Sequence, residues 1–171
     1  MISNFLKKII MYYSKFNTAF CNVLVVWDEN WITNLELLTG EWKREFILNK
    51  DYIQNDNFFE ETKKQILEYI EWKRKNFYIK INPSWTDYQK KVWKELQKIP
   101  YWESSSYKDI ATNIWNPNAS RAIWMANSKN PIPLIIPCHR VIWKNWKLIG
   151  FAHWINIKEK LLEHEKTQLK M

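Results

Sequence analysis

One short stretch gathers reactive side chains: Pro137-Cys138-His139-Arg140. The thiolate is the nucleophilic form of cysteine, and a nearby base makes it accessible at neutral pH. A cysteine beside a histidine, presented by a stiff loop, therefore suits covalent chemistry. Adjacent side chains diverge, so a water bridge fits the pair better than direct contact. The competing reading is a buried structural cysteine next to a surface histidine, and the pair alone leaves both open. Zinc fits poorly, because Cys21, Cys138, His139, His153 and His164 show no paired ligand spacing, so no metal is expected. Two cysteines are too few for a disulfide framework, and a reducing, cytoplasmic setting is the expectation.

The elements around this stretch follow from local signals. Residues 130–137 (NPIPLIIP) carry three prolines and read as a stiff extended loop. Thr86-x-x-Gln89 is a capping box that opens a helix with Tyr88, Val92, Leu96 and Ile99 along one face. Ser106-x-x-Asp109 opens a short helix with Ile110, Ala111 and Ile114. Asn116-Pro117-Asn118 is a turn, and residues 119–127 can form the next helix, which together suggest a helix-turn-helix. Asn156-x-x-Glu159 starts a last helix carrying Ile157, Leu161 and Leu162.

The first half reads differently. Residues 22–27 and 44–48 are expected strands of a small antiparallel sheet, with Asp28-Glu29-Asn30 as a turn. Residues 59–72 place Phe59, Ile66, Leu67 and Ile70 at helical spacing. Residues 73–81 begin as a basic turn and end as a strand, and Asn82-Pro83-Ser84 breaks the chain. The expected domains are therefore 1–82 and 83–171. Met11 offers an alternative start, which makes 1–10 an extension.

Charge separates the halves. Net charge is +8, of which residues 1–80 contribute +1 and residues 81–171 contribute +7. A basic excess confined to one half suggests that this half meets a polyanion such as nucleic acid. No apolar run reaches about 18 residues, so no membrane span is expected. Met1 to Tyr13 lacks a small-residue cleavage site, so no signal peptide is expected.

Residues 85–165 resemble the catalytic domain of the methylated-DNA–protein-cysteine methyltransferases, also called alkylguanine-DNA alkyltransferases. The resemblance lies in QKKVWKELQKIPY, SYKDIA, NPNASRAIWMANSKNPIPLIIPCHRVI and KEKLLEHE, which include the family's Pro-Cys-His-Arg-Val-Ile motif. It implies an α+β fold: a small ribonuclease-H-like N-terminal domain, then a mainly helical, winged helix-turn-helix-like catalytic domain. It also implies that Cys138 takes the alkyl group from the 6-oxygen of guanine, and by extension from the 4-oxygen of thymine, as an irreversible thioether. His139 is then the base that keeps Cys138 deprotonated through a water. Glu165 orients His139, completing a triad, and Asn130 orders the turn before the Pro-rich loop. The backbone carbonyls of Cys138 and Val141 accept from the guanine amine, and Phe151, Ala152 and His153 border the pocket. Arg121 enters the base stack as the base flips out. Tyr107 rotates the flanking phosphate and lies near the flipped purine, while Ser120, Trp124 and Arg140 join the DNA-facing set. The implied partner is double-stranded DNA carrying alkylated guanine, met in the minor groove by a monomer without a cofactor.

His153 stands where the family often has a small residue, and either narrows the pocket or points to solvent; the other departures follow one consistent pattern. The sequence holds 12 Trp and 2 Gly, where about 7% Gly is usual. Trp85, Trp102, Trp115, Trp124, Trp143, Trp146 and Trp154 stand where the family has glycine, whereas Trp93 matches a family aromatic. A gene that uses UGA as a glycine codon, translated with UGA as tryptophan, accounts for the pattern, and Trp31 and Trp72 fit it too. Trp27 and Trp42 are left undecided. Three readings compete with the repair enzyme: a lesion-binding alkyltransferase-like protein, which usually lacks the cysteine; a degenerate, Trp-rich paralogue; and a helix-turn-helix regulator with a structural cysteine.

Overall fold

The computed structural model describes residues 9–38, 49–57, 60–82, 85–143 and 155–167. Its N-terminal half is built on a sheet. Strands β1 (Tyr12–Asn17), β2 (Asn22–Trp27), β3 (Ile32–Leu38) and β4 (Ile53–Gln54) run in the order β3-β2-β1-β4. β2 is antiparallel to both neighbours. Its run Val23–Trp27 is buried throughout, as a central strand covered on both faces requires. The expected turn at Asp28-Glu29-Asn30 is present, with the Asp28 carboxylate accepting from the amides of Asn30 and Trp31, both at 2.8 Å. The partners of β2 are β1 and β3. The expected strand at 44–48 lies outside the described residues. Ile81 bridges to Ile32, so the end of the 73–81 stretch does join the sheet edge.

Helix α1 (Glu60–Ile70) packs Ile66, Tyr69 and Ile70 into the core. The C-terminal half follows as helices. α2 (Asp87–Leu96) begins with the expected box, in which Thr86 and Gln89 exchange hydrogen bonds. Its buried face uses Val92, Trp93 and Leu96, while Tyr88 is exposed and not on the core face as expected. The fully buried Trp93 takes the space, and its indole N–H donates to the Ala126 carbonyl at 3.0 Å. α3 (Tyr107–Asn113) starts at the Ser106–Asp109 box. α4 (Ser120–Ser128) follows a turn closed by the Ala119 amide on the Asn116 carbonyl, completing a helix-turn-helix. α5 (Ile155–Thr167) buries Ile157, Leu161, His164 and Glu165.

Two short strands, β5 (Ser105–Ser106) and β6 (Val141–Ile142), pair in parallel. That pairing clamps the chain just after Cys138-His139-Arg140 to the start of α3. The Leu35 amide donates to the Pro131 carbonyl at 2.8 Å, fastening the Pro-rich loop to the sheet. A single buried apolar cluster runs from Val23 and Val25 through Tyr69 and Tyr101 to Leu161, so the two halves share a core.

Three of the tryptophans occupy glycine conformations. Trp72, Trp102 and Trp115 have φ of 60°, 65° and 63°. After α3, the Trp115 amide bonds the Thr112 carbonyl and the Asn116 amide bonds the Ala111 carbonyl, both at 2.9 Å. This is a Schellman motif with tryptophan at the left-handed position. The same pair of bonds ends α1 at Trp72, through Tyr69 and Glu68. At Pro100–Glu103 the chain closes a turn with Trp102 at its third residue, where positive φ favours glycine.

Candidate active site

Cys138, His139 and Arg140 form one turn of 3-10 helix at the end of the Pro-rich loop. Asn130 holds that loop as expected. Its side-chain oxygen accepts from the Ile132 amide at 3.0 Å and its amide donates to the Ile136 carbonyl at 2.7 Å. Cys138 is half-buried. Burial raises its thiol above the usual cysteine range, only partly offset by the Asn130 side chain, the Lys158 ammonium and nearby backbone amides. Burial thus favours the thiol over the thiolate at rest. The other thiol, Cys21, is also half-buried and also raised by burial.

His139 is buried, and its Nε2 lies 2.8 Å from Glu165 Oε1. The Glu165 carboxylate only accepts, so Nε2 carries the proton and Nδ1 keeps its lone pair. Nδ1 is buried and has no partner among the described residues. Burial lowers the His139 pKa, more than Glu165 raises it, which favours the neutral ring with its Nδ1 lone pair open. Glu165 is 1% exposed. Burial pushes its carboxyl up, but His139 and Arg140 outweigh that and bring it down to about 2. It is a fixed anion.

Arg140 is where expectation and structure part. The expected DNA contact is instead buried, with Nε 3.0 Å and Nη2 2.9 Å from the Glu165 carboxylate and Nη1 donating to the Ile99 carbonyl at 2.7 Å. A guanidinium so engaged cannot face DNA; it is the counter-ion of the orienting carboxylate. Three further participants carry no sequence signal of their own. Tyr69 from α1 donates to Glu165 Oε1 at 2.6 Å, and the Trp102 amide donates to Oε2 at 3.2 Å. Lys158 reaches back from α5 to the Val141 carbonyl at 2.5 Å. Burial lowers the Lys158 pKa, and Cys138 partly opposes that shift.

Tyr107 opens α3 and is buried, its hydroxyl 3.4 Å from the Asn127 side-chain amide. Burial and the nearby Cys138 hold the phenol well above its usual range. The hydroxyl thus meets the Asn127 side chain inside the fold. Trp143 packs at a tilt against this ring, centroids 4.7 Å apart, so a glycine at 143 would uncover it. Asn127 also donates to the Cys138 carbonyl at 3.4 Å. Both carbonyls expected to receive a guanine amine, those of Cys138 and Val141, therefore already hold donors.

Arg121 and Ser120 lie at the start of α4, Arg121 exposed and Ser120 half-buried. Trp124, one turn on, is half-buried and packs against the core. Phe151, Ala152 and His153 lie outside the described residues, as do Trp146 and Trp154. No helix among the described residues is long and apolar enough to cross a membrane, and no described cluster of His, Cys, Asp and Glu could hold a metal.

Comparison with known proteins gives consistent results. The family model described as 6-O-methylguanine DNA methyltransferase, ribonuclease-like domain, matches residues 11–83. The model described as 6-O-methylguanine DNA methyltransferase, DNA binding domain, matches residues 87–167. A methylated-DNA–protein-cysteine methyltransferase of Methanosarcina barkeri is 41% identical over 160 residues, covering 94% of this chain and all of that protein. The constitutive enzyme of that name from Bacillus subtilis is 38% identical, covering 93% of this chain and 98% of its own length. The crystal structure of Mycobacterium tuberculosis O6-methylguanine methyltransferase aligns with a TM-score of 0.83 at 34% identity, covering 92% of this chain and 94% of that one. A structure of the M. tuberculosis protein in complex with DNA aligns equally well, at 33% identity.

Proposed function

The chain belongs to the methylated-DNA–protein-cysteine methyltransferase family, and we propose that Cys138 repairs DNA by taking the alkyl group from the guanine 6-oxygen, once and irreversibly. One observation carries the reading: a buried, neutral imidazole, oriented by an anion on Nε2, keeps a free lone pair on Nδ1 one residue from a half-buried thiol.

The chemistry then runs as follows. A water between Cys138 Sγ and His139 Nδ1 passes the thiol proton to the imidazole. The imidazolium is stabilised by Glu165, whose charge Arg140 has already balanced. The thiolate attacks the alkyl carbon, the carbon–sulfur bond forms and the carbon–oxygen bond breaks. The electron pair returns to the guanine ring, which takes up a proton. The balancing proton is the one His139 took from the thiol, and the buried Tyr107 hydroxyl, itself kept protonated by burial, is our candidate to relay it to the base, giving up one proton as it receives another. A thioether has no route back, so each molecule acts once. No step needs a cofactor. The thymine 4-oxygen offers the same chemistry with a smaller base.

A thiol on a buried loop cannot reach a stacked base, so the base must flip out. Arg121, exposed at the head of α4, is our candidate for the side chain that fills the vacated stack, with Ser120 beside it at the backbone. The basic excess of residues 81–171 supports binding of duplex DNA through this half, and we propose that a monomer makes this contact in the minor groove. We divide the chain at residue 82 and place it in the cytoplasm. Incubation with DNA bearing methyl-labelled guanine tests the reading. Label should pass to the protein, and Cys138→Ala should abolish the transfer. Undiminished transfer by that variant would overturn the mechanism.

A further inference from the structure

We propose that Tyr69, on helix α1 of the N-terminal half, is a positioning residue of the relay: its hydroxyl holds the Glu165 oxygen that His139 uses and sets how readily His139 accepts a proton. The inference rests on the transfer reading above and adds the N-terminal half to it.

The geometry is specific. Glu165 Oε1 receives the Tyr69 hydroxyl at 2.6 Å and His139 Nε2 at 2.8 Å, so the two donors share one oxygen. Tyr69 is fully buried and cannot swing away. Its ring meets Phe77 at 5.2 Å and stands edge-on to Tyr101 at 5.9 Å, and its backbone carbonyl accepts from His164 Nε2 at 2.8 Å. Burial first, then the charge of Glu165, keeps the phenol protonated across the working range, so it is always a donor.

The consequence follows from charge. His139 faces Glu165 and Lys158 from α5, with Cys138 and Arg140 on either side in the chain. Glu165 in turn faces Arg140, Tyr69, Tyr101 and its neighbour His164. A donor on Oε1 draws charge from that oxygen and weakens its hold on an imidazolium. Tyr69 therefore helps keep His139 neutral, with its Nδ1 lone pair open, at neutral pH. Without the hydroxyl, Oε1 binds the imidazolium more strongly and the ring protonates at higher pH.

Tyr69→Phe removes the hydroxyl and keeps the ring, and Oε1 retains its His139 and Arg140 donors, so the fold is expected to survive. Two readouts are taken on the full-length protein. The first is the titration of the His139 imidazole by NMR, assigned by comparison with His139→Gln. The second is the pH profile of methyl transfer from methylated DNA. The expected result is a His139 midpoint raised by at least about half a pH unit, a threefold change in its protonation constant. Transfer near that midpoint falls by a similar factor and recovers at alkaline pH. An unchanged midpoint, with or without loss of stability, overturns the proposal. The titration needs no transfer, so failure of wild-type protein to accept methyl groups would count against the repair reading and leave the Tyr69 link to be decided by the midpoint.

Discussion

Replacing Trp115 with glycine should make the protein more stable. Trp115 closes the Schellman motif after α3 at φ 63°, and its side chain is 91% exposed. The indole is therefore almost unpacked, and the substitution acts chiefly through the backbone. A residue with a Cβ pays about 1–2 kcal/mol in the left-handed helical region. Glycine avoids that cost but loses more freedom on folding, about 0.5–1 kcal/mol. The net gain is about 0.5–1 kcal/mol, or roughly 1–4 °C in Tm for a chain of this size. Trp115→Ala is the control: it removes the indole and keeps the Cβ, so it should change stability little. Urea unfolding of the three proteins, followed by circular dichroism, reads the difference directly. A glycine variant no more stable than the alanine variant would refute the backbone argument. At Trp72 the gain should be smaller, because that indole stacks on His164 at 4.8 Å and donates to its carbonyl. If the gene reads UGA as glycine, the natural protein will be lighter than a chain with 12 Trp. An intact mass matching all of them would contradict that origin.

Glu165→Gln should abolish rapid transfer and cost about 3–5 kcal/mol of stability, because it leaves the Arg140 guanidinium buried and unpaired; chemical denaturation and transfer rates check both. Transfer should hold as pH falls through 7 and decline only below about 6.5, the ordinary histidine value, since burial lowers the His139 pKa; a decline centred above that value contradicts a neutral resting base. Ultraviolet absorbance at neutral pH should show no thiolate at Cys138, and a strong thiolate band would contradict the raised thiol pKa. Arg121→Ala should slow repair of duplex DNA far more than reaction with free alkylguanine base, and equal losses would remove its role in flipping.

Local signals made the helices legible. The boxes Thr86–Gln89 and Ser106–Asp109 fix two helix starts through short-range hydrogen bonds, and both are present. The three prolines kept residues 130–137 out of a helix, and Asn130 braces that loop as read. Long-range pairing was less legible. Nothing in residues 12–17 announced that they would lie beside β2, since partner choice depends on the whole sheet. The site shows the same division. Cys138, His139 and Glu165 were found through a motif. Arg140 was placed in the DNA-facing set through the resemblance, whereas a buried carboxylate 25 residues away holds it. Tyr69 escaped notice because it lies 96 residues from Glu165 and sits in an ordinary amphipathic helix. Lys158 was not singled out in the sequence, yet its ammonium turns in to the Val141 carbonyl.

Where the methyl group lands is the most direct test of the central claim. Protein exhausted with excess methylated DNA should be digested and its cysteine peptides weighed. The account predicts one methyl per chain, all of it on Cys138 as a thioether, with Cys21 unmodified and no further uptake on adding substrate. Methyl on Cys21, repeated turnover without modification, or an unmodified Cys138 after the DNA has been repaired would contradict it.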